Sequence, residues 1–216
     1  MIVGKKSTRK AFTAIFAGLF LLVCTPAFSQ EAEDNTFGGW EFFEVYHGFG
    51  SSGWFASFYF EHDNYQYKRL DNWYTRTTVG YRVLPWLKAD VAYDYIYEPS
   101  GVTHKGIFDL TGTLRQGNLS VQIRERYLHN WLQGTDIQGN ELRSRLKAQY
   151  AIPDSRVKPY LMMEVFTWEK WKKTRHYAGA TITLNDHFEI DAFYMYYVFA
   201  NKPAEHVLGI GLNMDF

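Results

Sequence analysis

Residues 140–151 alternate between charged and apolar side chains, and this pattern constrains the fold more than any other feature of the chain. One side of the run carries Glu141, Arg143, Arg145, Lys147 and Gln149, and the other carries Leu142, Ser144, Leu146, Ala148 and Tyr150. A period of two is that of a β-strand, in which successive side chains point to opposite faces. The run therefore predicts a strand with one charged and one apolar face.

Similar runs follow one another along most of the chain, with turn-forming residues between them. We predict strands at 39–48, 53–63, 73–83, 86–97, 104–116, 118–131, 140–151, 156–168, 173–184, 187–198 and 205–216. These lengths are sufficient to cross a bilayer at a tilt. Bacterial single-chain barrels prefer an even number of strands. We therefore expect the poorly alternating run 39–48 to lie outside the wall or to pair differently, which leaves ten strands, whereas one undetected strand would make twelve.

The amino terminus has the composition of a secretory signal peptide. Four basic residues, between Lys5 and Lys10, precede an apolar run at 11–24, and the small residues Ala27 and Ser29 fit cleavage after Ser29. We predict a signal peptide at 1–29, a flexible lead-in at 30–38 and a single barrel domain at 39–216. Cys24 is the only cysteine, so the mature chain has no thiol chemistry.

Charge and aromatic content restrict the class of protein further. Removal of the signal leaves 19 basic residues against 23 acidic ones, a net charge of −4 that argues against nucleic-acid binding. Aromatic residues make up 19% of the chain, although its mean hydropathy is only −0.32. This combination is typical of alternating strands that face lipid, with aromatic girdles near both strand ends, where we place Trp131, Tyr197 and Phe199 among others.

Charged residues in the middle of several strands point to a closed wall. An Arg that faces lipid at mid-bilayer costs roughly 2–4 kcal/mol, so such residues have to face inward. We predict an all-β fold, a transmembrane antiparallel up-and-down β-barrel of 10–12 strands. Glu125 lies on the apolar side of its strand, which indicates either a position near the membrane interface or a β-bulge.

Twelve charged residues form the predicted inner surface of the barrel. They are Arg76, Asp90, Asp94, Asp109, Arg124, Arg126, Arg143, Arg145, Glu164, Arg175, Glu189 and Asp191. Two roles are open for them, because a barrel of about ten strands has an interior that side chains can fill. They either line a permeation path or pair with one another and plug the lumen.

The last strand predicts the location of the protein. Its apolar face, Leu208, Ile210, Leu212, Met214 and Phe216, ends on an aromatic residue in the manner of the assembly signal of outer-membrane barrels. Shorter connections alternate with longer ones, of which 64–72 is the longest, and this places the carboxy terminus in the periplasm. The expected partners are outer-membrane lipids, periplasmic chaperones and the barrel assembly machinery. No nucleic acid, cofactor or metal is expected, and nothing indicates an oligomeric state.

Several short motifs resemble a known family. They include Arg124-Glu-Arg126-Tyr127, Leu142-Arg143-Ser-Arg145-Leu146, Lys158-Pro159-Tyr160, Glu164-Val-Phe166, Arg175-His-Tyr177, Tyr194-Met-Tyr196 and His206-Val-Leu208-Gly209. The carboxy-terminal part of the chain, about three-fifths of it, resembles an uncharacterised family of small outer-membrane barrels, domain of unknown function twenty-four-ninety. The resemblance implies an outer-membrane barrel and supplies no activity and no catalytic or ligand residues.

Three kinds of function fit these patterns. The first is a narrow channel or small-solute porin, with the structurally plugged barrel as its counterpart. The alternative is an outer-membrane enzyme that acts on lipid or peptide at the extracellular rim, where we place His62, His104, His129, His176 and His206, with Ser100 in a loop. No nucleophile and base have the spacing of a catalytic motif, so we predict no enzyme and no catalytic residues. The third is a surface or assembly factor that binds through its short loops.

Overall fold

The computed structural model describes residues 36–65, 69–99, 101–132, 138–201 and 203–216. The predicted signal peptide and residues 30–35 of the predicted lead-in lie outside these ranges. Among the described residues, no helix is long and apolar enough to cross a membrane.

Eleven strands account for most of the described chain, with one short 3-10 turn at Gly50–Ser52. They are β1 (Thr36–Gly48), β2 (Trp54–Tyr65), β3 (Arg69–Leu84), β4 (Leu87–Glu98), β5 (Gly101–Gln116), β6 (Leu119–Leu132), β7 (Gln138–Tyr150), β8 (Val157–Trp168), β9 (Lys170–Thr183), β10 (Phe188–Phe199) and β11 (Glu205–Asp215). Consecutive strands pair in antiparallel fashion, and β11 pairs with β1 to close the barrel.

The closing pair, β1 with β11, is parallel. Its register runs from Thr36 opposite Glu205 to Tyr46 opposite Asp215. An odd number of alternating strands makes the first and last strands run in the same direction, so only a parallel pair closes the wall. The expectation that the first run lies outside the wall was therefore wrong, and β1 begins three residues before the predicted start at residue 39. The preference for even strand numbers misled the prediction.

The exterior of the barrel is apolar and the interior carries the charges. Val91, Leu114 and Ile123 are 58%, 67% and 53% exposed on the outer face, whereas Asp94 and Glu164 inside are 2% and 4% exposed. Such an exterior is stable against acyl chains rather than water. The prediction of an all-β transmembrane barrel is thus confirmed. The last strand follows the same rule, since Leu208, Ile210 and Phe216 are exposed on its outer face; their role as an assembly signal stays a prediction.

The predicted contrast between short and long connections was wrong. The mouth beside residue 216 has the connections 49–53, 85–86, 117–118, 151–156 and 184–187, and the opposite mouth has 66–68, 99–100, 133–137, 169 and 200–204. The two sets are similar in length because predicted loop residues, such as Asn64 and Asn72, extend the strands instead. Connection length therefore no longer indicates which mouth faces the periplasm.

Aromatic residues fill one side of the barrel interior. A buried cluster of Trp40, Tyr160, Tyr177, Met195 and Tyr197 draws on β1, β8, β9 and β10. Tyr197 is only 7% exposed, so its predicted place in an outer girdle was wrong. Tyr197 shares its face of β10 with Glu189 and Asp191, but from Phe193 onward both faces of the strand are apolar or aromatic. In that half of the strand, alternation alone did not reveal which face is internal.

Candidate functional site

The twelve predicted charged residues all border cavities inside the barrel. Asp94 borders the smaller cavity, of about 390 Å³, and the others border the larger, of about 770 Å³. Five residues border both cavities and so mark the level at which they meet: Glu61, Tyr74, Arg76, Arg143 and Arg175. We refer to these five residues as the constriction.

One arginine of the constriction is tightly paired with a carboxylate. Arg76 on β3 donates from Nε to Asp94 Oδ1 at 2.6 Å and from Nη2 to Oδ2 at 2.7 Å. The two residues are directly opposite in the β3–β4 register, which allows the planar fork to meet both oxygens. The charge of Arg76 is therefore largely balanced within the wall.

The other two arginines of the constriction both contact aromatic rings. The Arg175 guanidinium lies 4.5 Å from the Tyr197 ring centroid and 4.9 Å from that of Trp40, and its closest carboxylate oxygen, on Glu164, is 3.9 Å away. Arg143 lies 4.2 Å from the ring of Phe166 and 3.2 Å from Glu141. Cation–π contacts hold a guanidinium in place without neutralising it.

Glu61 supplies a carboxylate at the same level. It is 2% exposed and accepts hydrogen bonds from the hydroxyls of Tyr59 and Tyr74, the latter at 2.9 Å. Glu61 and His62 are neighbours on β2 and face opposite sides of the wall. Glu61 lines the lumen, whereas His62 bonds to Glu41, which lies outside it.

A second network lies on β5, β6 and β8. Arg126 donates from Nε to Asp109 Oδ1 at 2.7 Å and from Nη2 to Oδ2 at 2.5 Å, with both side chains 4% exposed. Arg124 donates to Glu164 at 2.8 Å, and the Tyr177 hydroxyl donates to the other oxygen of Glu164 at 3.2 Å. These buried groups are held by several hydrogen bonds each, which is how charged side chains are accommodated in an interior.

The remaining predicted acids lie in the larger cavity. Glu189 accepts hydrogen bonds from Lys158 at 2.7 Å and from Thr183 at 2.8 Å, and Asp191 accepts one from Tyr160 at 2.9 Å. Asp90 lies directly opposite Asp109 in the β4–β5 register. Acids and bases alternate around most of the wall, and the largest group of bases lies on the adjacent strands β6 and β7.

Glu125 lies on the outer face in an unbroken register, opposite Leu110 on one side and Ser144 on the other. The bulge interpretation was therefore wrong. The position is midway along β6, and Glu125 is exposed, with the Ser144 hydroxyl donating to its carboxylate at 2.6 Å. The partner for this outward carboxylate thus comes from the neighbouring strand.

The rim histidines have separate partners. His62 contacts Glu41 at 3.2 Å, and His129 contacts Asn140 at 2.8 Å. His104 and His206 each contact a tyrosine hydroxyl at 2.5 Å. His176 is buried, and its ring centroid lies 6.5 Å from that of Tyr196. In the part of the chain that is described, no three His, Cys, Asp or Glu side chains are grouped to hold a metal; Ser100 lies outside it.

Taken together, a closed wall, an apolar exterior and a charged interior with cavities define a porin-like transmembrane β-barrel. The profile of the family described as "Protein of unknown function (DUF2490)" matches residues 37–207. The chain belongs to this family, which confirms the resemblance predicted from its motifs.

Solved porins share the fold. The NanC porin aligns with a TM-score of 0.57 and 16% identity, covering 80% of this chain and 91% of the porin. The KdgM porin, in a structure described as a complex with disordered oligogalacturonate, aligns with a TM-score of 0.52 and 10% identity, covering 80% and 90%. At these identities the likeness concerns the fold alone. No functionally curated protein matches the chain in sequence.

Proposed function

We propose that the chain is an outer-membrane channel for small solutes. The observation that carries this proposal is the pair of cavities that meet at the constriction. The smaller one reaches Glu98 and Glu205 near one mouth, and the larger one reaches Asp186 and Asp215 near the other. A lumen that side chains had filled completely would leave no such cavities.

The constriction favours anions over cations. Arg76 is balanced by Asp94 and Arg143 contacts Glu141, but Arg175 is held mainly by rings, and Glu61 is engaged by two tyrosine hydroxyls. The constriction thus carries three arginines and one carboxylate of its own. Rings of arginine and lysine are the usual selectivity elements of anion pores.

The structural comparison gives a precedent for an acidic solute. The KdgM porin structure that shares this fold holds oligogalacturonate, a polymer of sugar carboxylates. Its low identity transfers no binding residue to this chain. It supports the proposal only in showing that a barrel of this shape accommodates an anionic solute.

The mouth beside residue 216 faces the periplasm in this proposal. The apolar face that ends at Phe216 matches the signal by which periplasmic chaperones and the barrel assembly machinery select their clients, so these are the proposed partners, together with outer-membrane lipids.

Conductance across a planar bilayer tests the proposal directly. The mature chain, refolded and shown to be folded by its heat-modifiable gel mobility, is measured in a gradient of potassium chloride. We expect steady channels whose reversal potential indicates a preference for chloride. Arg143→Gln and Arg175→Gln should each reduce that preference, whereas Lys170→Gln, an exposed control at the start of β9, should not.

Two results would contradict the proposal. A sealed membrane with folded protein would mean that the charged residues of the inner surface plug the lumen. A channel that conducts but prefers cations, or whose selectivity ignores Arg143 and Arg175, would move the selective element away from the constriction.

A further inference from the structure

Four arginines face one another across β6 and β7 inside the barrel. Arg124 lies directly opposite Arg145, and Arg126 lies directly opposite Arg143. Like charges directly opposite in a sheet destabilise it unless something else balances them. Each of these arginines therefore needs a source of negative charge.

Three of the four find a carboxylate within the protein. Arg126 binds Asp109, Arg124 binds Glu164, and Arg143 contacts Glu141. Arg145 is the exception, because its hydrogen bond goes to the neutral side-chain oxygen of Gln122, at 2.6 Å. Its own register partner on β8 is Glu164, but that carboxylate is bonded to Arg124 instead.

Lys147, two residues further along β7, also has no carboxylate partner in the part of the chain that is described. Its ammonium lies 4.0 Å from the ring centroid of Tyr160. Within the described residues, neither Lys147 nor Arg145 has a carboxylate at salt-bridge distance. The nearby acids are committed elsewhere, since Asp191 accepts from Tyr160 and Glu189 from Lys158.

Both cations border the larger cavity, which also exposes the neutral amides of Gln122 and Gln149. A cavity of about 770 Å³ has ample room for a small solute beside them. Nε of Arg145 and Nε of Arg124 are buried without a hydrogen-bond partner, so the packing around this pair of side chains leaves donor capacity unused.

We propose that Arg145 and Lys147, with Arg124 opposite, form a binding site for an oxyanion group, either the phosphate or the carboxylate of a small solute. The guanidinium fork of Arg145 meets two oxygens of such a group, and Lys147 supplies a point charge to it. As an account of what the channel carries, the site rests on the proposed function. Binding itself does not require conduction, so the two are tested separately.

Thermal unfolding of the refolded mature chain in detergent provides the test. Sodium phosphate or sodium glucuronate is titrated at constant pH, with sodium chloride holding the ionic strength constant, and tryptophan fluorescence reports unfolding. A ligand that binds only the folded state raises the unfolding temperature with a saturating dependence on its concentration. We expect a rise of several degrees with at least one of the two probes, and the more effective probe identifies the oxyanion.

The variants decide whether the effect belongs to this site. Arg145→Gln and Lys147→Gln should each abolish the saturating rise, and Lys170→Gln should keep it. Because Arg145 and Lys147 have no carboxylate partner, their neutralisation leaves no buried carboxylate unpaired, and Lys147→Gln answers the question if Arg145→Gln does not fold. A rise of equal size in all variants, or no rise with either probe, would overturn the site. A sealed bilayer with saturable binding would instead contradict only the channel.

Discussion

The ring of Phe42 lies over the backbone of Gly211 across the parallel pair that closes the barrel. The two residues are opposite in register, and a Cβ built on Gly211 would come within 2.2 Å of the Phe42 ring. Gly209 is related to Phe193 on the next strand in the same way, at 2.1 Å. Gly209 and Gly211 on β11 thus leave space for the rings of Phe193 on β10 and Phe42 on β1, next to the pair that closes the barrel.

The first prediction concerns this closure. Gly211→Val should destabilise the barrel by roughly 1–3 kcal/mol, because the new side chain has to displace the Phe42 ring from a packed interior. Urea unfolding in detergent, followed by tryptophan fluorescence, measures the change. Gly106→Ala on β5 is the control, since its new Cβ would meet nothing closer than 3.8 Å. Equal stability of the two variants would show that the Phe42 ring can move aside at the β1–β11 pair without a measurable loss of stability.

The second prediction separates two arginines that sequence patterns alone treat as equivalent. Arg126→Gln leaves Asp109 buried without its main partner and should cost roughly 3–5 kcal/mol. Arg145→Gln removes a cation without a carboxylate partner and relieves its repulsion with Arg124, so it should cost far less. The same unfolding measurement compares them.

The pairing of Arg126 with Asp109 also has a direct control. The double variant Arg126→Gln with Asp109→Asn removes both charges, and it should recover much of the stability that the single variant loses. Failure of the double variant to recover would mean that the loss comes from packing rather than from an unpaired carboxylate.

The third prediction concerns the outward carboxylate of Glu125. Glu125→Leu should stabilise the barrel in phospholipid vesicles, by less than the roughly 2–4 kcal/mol associated with a mid-bilayer Arg. Glu125→Gln keeps a hydrogen-bond acceptor for Ser144, and its stability should lie between that of the unchanged protein and that of Glu125→Leu. Loss of stability in Glu125→Leu would indicate that this face is not covered by lipid.

The fourth prediction concerns orientation. Because residues 30–216 contain no cysteine, single cysteines introduced there report on each mouth without interference from the barrel itself. A membrane-impermeant maleimide added to intact cells should label Asn201→Cys, at the mouth opposite residue 216, and should not label Ser155→Cys, in the connection 151–156. The reverse pattern would place residue 216 at the cell surface.

Sequence patterns predicted the wall well because lipid and lumen impose opposite demands on alternate residues. Strands such as β7, with charges on one face, could be assigned with their orientation. Strand β1 and the second half of β10 could not, since rings such as Trp40 and Phe193 line the interior while Phe43 and Tyr194 belong to the other face. An alternating pattern identifies the inner face only where the two faces differ in polarity, so it cannot identify the inner face of a strand that is aromatic on both sides.

The sequence also did not predict which arginine pairs with which carboxylate. Register places Arg145 and Arg175 on either side of Glu164, yet this carboxylate bonds to Arg124, two strands away. Inside a narrow barrel, long side chains cross the space between strands, so sequence neighbours and even register neighbours do not fix the partners. Among the residues described, Arg145 lacks a carboxylate partner because Glu164, its register neighbour, bonds to Arg124 instead.

The parallel pair of β1 and β11 has a consequence for the two ends of the wall. Thr36 lies beside Glu205, and Phe216 donates its backbone N–H to Tyr46 at the far end of β1. The polypeptide therefore crosses the bilayer an odd number of times between these points. A tag inserted just before Thr36 and a tag appended after Phe216 would be exposed to different compartments, because the start of β1 and the end of β11 lie on opposite sides of the membrane.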